Sequence, residues 1–291
     1  MTELSSTNIL HGRILISCPD QPGIVAKVSK ILYEQGANIT ESAQHTTNPV
    51  DGTFFMRIAF DTDRNNEALS QMEAALSPVA NEFSMKFHIS MAEQRKKMAI
   101  FVSKEEHCLL ELLWQHQTGA IAADIAMVIS NHPDHGDIVR SMGYPFYRIP
   151  VDKHNKQIAE QQQLELIQGQ VDFIVLARYM QILSPYLVDA FENRIINIHH
   201  SFLPAFVGAR PYERAYERGV KIIGATAHYV TAELDAGPII EQDVQRIHHG
   251  YSVHDMKAMG RLIERTVLAR AVTFHVEDRI LIHKNKTIVF S

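Results

Sequence analysis

Short apolar runs and amphipathic stretches alternate along the chain in two rhythms. In the first, Arg13-Ile-Leu-Ile-Ser17 has the composition of a strand, and Cys18-Pro-Asp-Gln-Pro-Gly23 is a Pro/Gly turn that opens a helix. Ile24, Val25, Val28, Ile31 and Leu32 keep helical spacing until Gly36 stops the run. Asn38 to Ser42 and Thr53 to Phe60 read as further strands, Glu67 to Leu76 as a polar helix, and Phe83 to Ile89 as a last strand. The order is βαββαβ, the split βαβ pattern of a ferredoxin-like α+β unit. The second rhythm starts after the polar stretch SMAEQRKK, residues 90–97, which reads as a linker. Continuous apolar runs at Met98 to Val102, Ile125 to Ser130, Phe146 to Pro150, Asp172 to Ala177 and Ile195 to Ile198 alternate with helical stretches at Glu105 to His116, Asn155 to Gly169 and Pro211 to Arg218. Strands that are apolar on both faces suit a parallel sheet covered by helices on each side, a Rossmann-like doubly wound architecture. The expected organisation is therefore an α/β chain with a small α+β domain over 1–89, a linker over 90–97 and a larger, mostly parallel domain over 98–291. A long amphipathic helix, Val253 to His275, and a hairpin-like segment, Arg279 to Phe290, close the second domain.

That second domain places chemistry at a particular point. Ligands of open parallel sheets bind outside the carboxyl ends of the strands, and NIHHSFLPAF, Asn197 to Phe206, follows the run Ile195-Ile196 directly. Asn197 and His199 are two residues apart, so on an extended strand end their side chains share a face while His200 points the other way. An amide N–H and an imidazole N–H are the donors that stabilise a carbonyl turning into an oxyanion. A proton acceptor is still needed. A second polar cluster, from Gly224 through His228 to Thr231, Glu233, Asp235 and Gly237-Pro238, offers candidates, though spacing alone cannot bring Asp235 to His199.

Composition narrows the partners. With 46% hydrophobic residues and a net charge of -5 in 291 residues, the chain has core-forming capacity but no basic excess for nucleic acid or an anionic membrane surface. Met1 to Leu10 lacks the basic start and apolar core of a signal peptide, and no run reaches the length of a membrane helix, so a cytoplasmic protein is expected. Cys18 and Cys108 form no paired motif and read as buried hydrophobes, and the 16 histidines form no cluster with metal-ligand spacing, so no metal is expected. Ser201 has no activating base in the pattern. His248, His249 and His254 read as a solvated face, and Arg210 as a partner for a ligand carboxylate or, the favoured reading, a cap for the following helix.

Two resemblances extend this reading. PDQPGIVAKVSKILYEQGANI resembles the opening of an ACT domain, a regulatory module that often binds amino acids at the turn before its first helix. The resemblance implies Asp20, Gln21 and Gly23 as effector-facing positions, beside the plainer reading of a turn that only joins strand to helix. NIHHSFLPAF, continued to the Asp235-Ala-Gly237 segment, resembles the signature of the formyltetrahydrofolate-dependent formyltransferases, Asn-x-His, Ser-x-Leu-Pro and a distant Asp-x-Gly. It implies Asn197, His199 and Asp235 as catalytic residues and His228 as an orienter beside the aspartate. VLARYMQILSP, Val175 to Pro185, resembles the segment that wraps the pterin ring, implying Tyr179, Met180, Ile182 and Leu183 as its lining, with Thr231 and Glu233 in the loop that closes the other side.

Within that fold the acceptor distinguishes the enzymes. Ser103-Lys-Glu-Glu-His-Cys108 has no glycine and two carboxylates where a phosphate-holding loop is needed, which disfavours a ribonucleotide acceptor. The chain also ends soon after the 279–290 hairpin, with no sign of the barrel that initiator-tRNA formylases add. An ACT-like domain fused to the catalytic domain resembles the formyltetrahydrofolate deformylase family, including His200 where transferases usually have proline. The resemblance implies hydrolysis of 10-formyltetrahydrofolate to tetrahydrofolate and formate, supplying formate for purine synthesis and balancing one-carbon pools. It involves no cofactor beyond the folate substrate, and an amino-acid effector such as glycine or methionine acts on a homodimer or homotetramer. Asp235 accepts a proton from water or holds water through a protonated partner, and His200 either positions water or only bonds the backbone. The alternatives are transfer of the formyl group to a small amine, or a non-catalytic protein that senses folate and an amino acid.

Overall fold

A computed structural model describes residues 9–48, 50–63, 68–205 and 210–290. It divides into two compact units. The first contains β1 (Leu10–Pro19), α1 (Ile24–Glu34), β2 (Asn38–Thr46), β3 (Thr53–Thr62), α2 (Ala68–Glu82) and β4 (Lys86–Met91). The strands form an antiparallel sheet in the order β2-β3-β1-β4. Ile14 and Ile16 of β1 and Met56 and Ile58 of β3 are buried against Val28 and Leu32 of α1 and Leu76 of α2, so the alternation of the strands meets the helical spacing on one face of the sheet. Glu67, expected to start α2, lies outside the described residues.

The second unit runs from Lys96 to Val276, with Lys284–Thr287. It contains β5 (Lys96–Val102), α3 (His107–Gln117), β6 (Ala123–Ser130), α4 (Gly136–Ser141), β7 (Phe146–Arg148), α5 (Lys156–Ile167) and β8 (Phe173–Leu176). There follow α6 (Pro185–Ala190), β9 (Ile195–His199), α7 (Pro211–Arg218), β10 (Ile222–Tyr229), β11 (Ile239–Arg246) and α8 (Val253–Val276). A seven-stranded sheet has the order β11-β10-β9-β8-β5-β6-β7. β5 to β9 are parallel, and β10 runs antiparallel to both β9 and β11. In β5 the five residues Met98 to Val102 are all 0% exposed, as a strand covered on both faces requires. The chain moves outward from β5 in one direction through β6 and β7 and in the other through β8 and β9, the reversal that opens a crevice at the carboxyl ends of these strands.

Two features differ from the sequence reading. The polar stretch 90–97 is not all linker: Ser90 and Met91 finish β4 and Lys96 and Lys97 begin β5, because polar side chains at strand ends can find solvent or a partner, here Lys96 Nζ donating to the His275 carbonyl at 2.8 Å. Composition grouped residues 98–291 together, but Glu277–His283 and residues 288–290 belong to the first unit. There β12 (Ile280–His283) and β13 (Lys286–Val289) contribute Leu281 and Ile288, with Phe290, to a cluster on Leu15 and Phe55, the side chains that alternate away from the helical core. Buried Arg57 fixes this segment by donating to the carbonyls of Asp278 at 3.0 Å and Glu277 at 3.2 Å.

Candidate active site

The ends of β9 and β10 bring three of the expected residues together through strand register. Asn197 lies opposite His228 and His199 opposite Thr226. The His228 ring is only 2% exposed, so its two nitrogens need partners inside the protein. Nδ1 is 2.9 Å from the Tyr229 carbonyl, which can only accept; Nδ1 therefore carries the proton. Nε2 is then an acceptor, and the Asn197 amide donates to it at 3.2 Å. Burial lowers the His228 pKa, keeping the ring in this neutral form. The amide of Asn197 is thus oriented by a histidine that is itself oriented by the backbone.

Asp235 reaches the same point from the loop after β10. Its Oδ1 is 3.3 Å from His199 Nδ1 and 3.9 Å from His228 Nε2. The hydrogen bond from His199 holds the Asp235 carboxyl below the usual carboxylate range despite partial desolvation. His199 Nε2 is buried and has no hydrogen-bond partner among the described residues, which leaves it for a substrate. The loop that delivers Asp235 depends on Gly237: a Cβ there would lie 1.8 Å from the Tyr229 carbonyl oxygen, and the chain closes at this point with Tyr229 N donating to Pro238 O at 2.9 Å. Asp235 itself takes a left-handed φ of 55°.

These groups face a cavity of about 510 Å³. Tyr179, Met180, Ile182 and Leu183 line it from one side, Thr231 and Glu233 from the other, and Asn197, His199, His200, His228 and Asp235 from the base. Met180 and Ile182 are exposed, whereas Tyr179 is 5% exposed, packs edge-on to Phe101 and accepts a hydrogen bond from Gln163 Nε2 at 2.8 Å. Ser103 at the end of β5 bonds the Met180 N–H at 3.0 Å, and Glu160 of α5 accepts the Ser184 N–H at 2.9 Å and its hydroxyl. The segment is thereby pinned at both ends. The N–H groups of Ile182 and Leu183 have no hydrogen-bond partner among the described residues and form a polar edge in an otherwise apolar wall.

His200 departs from the expected geometry. Strand alternation predicted that it would point away from Asn197 and His199, yet it lines the same cavity, its ring centroid 5.3 Å from that of His199. β9 ends at His199, so the alternation stops there. Burial and the Arg178 guanidinium lower its pKa to about 4. Arg210 also differs: it occupies the N-cap position of α7 but its side chain makes no capping bond and instead lines the cavity. Ser201 Oγ donates to the Ala205 carbonyl at 2.8 Å, a role in the turn.

Sequence reading missed a buried charged group beside the site. Glu264 of α8, 1% exposed, accepts from Tyr212 at 2.8 Å, lies 2.8 Å from His107 Nε2 and pairs with Arg178 at 3.4 Å. Burial would raise its carboxyl, but the His107 hydrogen bond and the Arg178 charge outweigh this and hold it below the usual range. Gly260 makes room for Tyr212, since a Cβ would lie 1.9 Å from the tyrosine oxygen. His107, Cys108 and Glu264 offer atoms within 4.8 Å of one another, a ligand-like set that the sequence did not suggest. Glu264 is already committed to three partners, and burial pushes the Cys108 thiol well up, so this set serves as a hydrogen-bonded node as it stands. The signal available in sequence was a glutamate at a helical core position among Ile263, Val267 and Leu268.

In the first unit Asp20, Gln21 and Gly23 occupy the turn between β1 and α1. Asp20 N donates to Gly52 O at 2.9 Å, Gly23 has φ 96°, and Gln21 and Gly23 are exposed.

The folds and the strand-end site define an ACT domain joined to a formyl transferase domain: the ACT domain family matches residues 12–77 and the Formyl transferase family residues 96–272. A formyltetrahydrofolate deformylase of Bacillus subtilis is 57% identical over 100% of this chain and 97% of the relative, and that of Mycobacterium bovis is 50% identical over 96% and 90%. The crystal structure of a formyltetrahydrofolate deformylase from Pseudomonas syringae pv. tomato superposes with a TM-score of 0.94 at 47% identity, covering 99% of this chain and 97% of that one. The chain belongs to the formyltetrahydrofolate deformylase family. Among the described residues no helix is long and apolar enough to cross a membrane.

Proposed function

We propose that the chain hydrolyses 10-formyltetrahydrofolate to tetrahydrofolate and formate, with Asn197, His199 and Asp235 as its catalytic residues. The observation that carries the reading is the convergence of Asn197, His199 and Asp235 at the base of a cavity with one apolar wall. The pterin ring stacks along Met180, Ile182 and Leu183 and reads the free N–H edge of that segment; Tyr179 supports the segment from behind, and Thr231 and Glu233 close over the ring. The formyl group then reaches the base of the cavity. Water attacks the formyl carbon, and the oxyanion is stabilised by the Asn197 amide, held by His228, and by the His199 imidazolium, which donates Nδ1–H to Asp235 and Nε2–H to the formyl oxygen. Asp235 takes the proton from water, and His200, neutral above pH 4, positions that water. The proton held by Asp235 passes to N10 as the C–N10 bond breaks, releasing formate and restoring the Asp235 carboxylate. Overall, R₂N–CHO and H₂O give R₂NH, HCOO⁻ and H⁺.

The same reading includes regulation and setting. The ACT domain match supports an amino-acid effector, for which glycine and methionine are the candidates, at Asp20, Gln21 and Gly23. The edge strands β2 and β4 support pairing into a homodimer or homotetramer. A cytoplasmic enzyme that supplies formate to purine synthesis and needs no metal or nucleotide completes the proposal. It is tested by incubating the purified protein with 10-formyltetrahydrofolate alone. Formate release at a saturable rate supports hydrolysis; release only after a small amine is added assigns a transferase, and binding without release assigns a sensor.

A further inference from the structure

His200, Arg178 and Arg210 line the folate-facing cavity on one side and a second cavity of about 240 Å³ on the other. The two differ in character. The first has Met180, Ile182, Leu183 and Val230 along its walls, with the Glu233 carboxylate on one side and that of Asp235 at its base. The second is walled by charged groups, four cations, Arg178, Arg210, Lys257 and Arg261, against three carboxylates, Glu105, Glu213 and Glu264. Lys257 pairs with Glu213 at 2.6 Å and Arg178 with Glu264 at 3.4 Å, while Arg210 and Arg261 have no ion-pair partner among the described residues. Arg178 has a left-handed backbone, φ 62°, and its buried Nη1 has no hydrogen-bond partner among the described residues. Glu105, His107 and Arg261 also line a wider cleft of about 970 Å³, bounded by exposed Trp114, so the second cavity continues to the surface.

Hydrolysis creates an anion at the junction of these cavities. Formate formed at Asn197 and His199 is repelled by Asp235 and is poorly solvated along the apolar wall, which the folate product still occupies. Arg178, which lines both cavities, supplies a compensating charge. We infer that the second cavity is the binding and exit site of the formate product, with Arg178 and Arg261 as its carboxylate-holding groups, and that it is separate from the path taken by folate. The inference rests on the hydrolase reading.

Inhibition by added sodium formate tests it, with sodium chloride as the ionic-strength control and formamide as a neutral analogue. Formate should lower kcat while KM for folate stays within twofold, and formamide at the same concentration should not inhibit. Arg178→Met should weaken formate inhibition at least tenfold. Because that change strands Glu264 and can impair folding, Arg261→Gln, outside the folate cavity, is the second variant and should weaken inhibition at least threefold in a chain with an unchanged circular dichroism spectrum. Absent inhibition, inhibition that only raises KM, equal effects of formamide, or an unaltered inhibition constant in Arg261→Gln would each overturn the inference. Failure of the wild-type protein to release formate without an acceptor would instead sink the hydrolase reading itself.

Discussion

The strand-end site and the turn between β1 and α1 hold polar groups in opposite ways. At the ends of β9 and β10, Asn197 is braced by His228, His228 by a backbone carbonyl, and His199 by Asp235, with both imidazoles buried. In the β1–α1 turn, Gln21 and Gly23 face solvent, and the fixed contacts are backbone bonds such as Lys27 N to Gly23 O at 3.0 Å. The contrast follows from what each place does under our reading. An oxyanion must be met by donors already in position, because reorganising them during the reaction would add to the barrier. An effector turn binds reversibly and gains from being open.

Substitutions at the two places should therefore differ by orders of magnitude. Asp235→Asn removes the proton acceptor and should lower kcat by about 10³-fold with little change in folate affinity, read by formate release and by folate titration. Asn197→Ala should lower kcat by about 10²-fold, the loss typical of one oxyanion donor, in the same assay. His200 tests the cost of burial near the first site. Its pKa of about 4 in the folded state lies below the ordinary 6.5, so the unfolded chain binds the extra proton between these values. Stability is fully present above pH 6.5 and lost as pH falls toward 4. The ceiling for this one group is about 3 kcal/mol, and urea unfolding at pH 7 and pH 5 should show a smaller pH difference for His200→Gln than for the wild type. The smallest effect is expected at the turn: Asp20→Ala should shift the glycine or methionine concentration that alters the rate by about 10-fold, a binding change of roughly 1.4 kcal/mol. A thousandfold loss of turnover in Asp20→Ala would erase the contrast.

How much of this was legible in the sequence depends on the range of the interaction. β5 could be read from Met98 to Val102 because burial on both faces writes a continuous apolar run, and α1 because its apolar spacing is helical and bounded by Gly23 and Gly36. α4 and α6, six residues each, are too short to show a period, and α6 lies within a segment whose resemblance drew attention to pterin contacts instead. Asn197 and His199 were legible from local spacing, and Asp235 only through the family signature. The turn-like end of β9, which brings His200 into the cavity, breaks the alternation on which the sequence argument depended. The Glu264, Arg178 and His107 group was hidden because three distant segments converge on it; only the place of Glu264 among Ile263, Val267 and Leu268 hinted at a buried charge.

The central claim is that water is the acceptor at a formyl carbon held by Asn197, His199 and Asp235. Turnover of 10-formyltetrahydrofolate in ¹⁸O-labelled water, with formate analysed by mass spectrometry, tests it most directly. The expected result is formate carrying a single ¹⁸O, formed by the wild type and about 10³-fold more slowly by Asp235→Asn. Unlabelled formate, or labelled formate formed equally fast by Asp235→Asn, would contradict it.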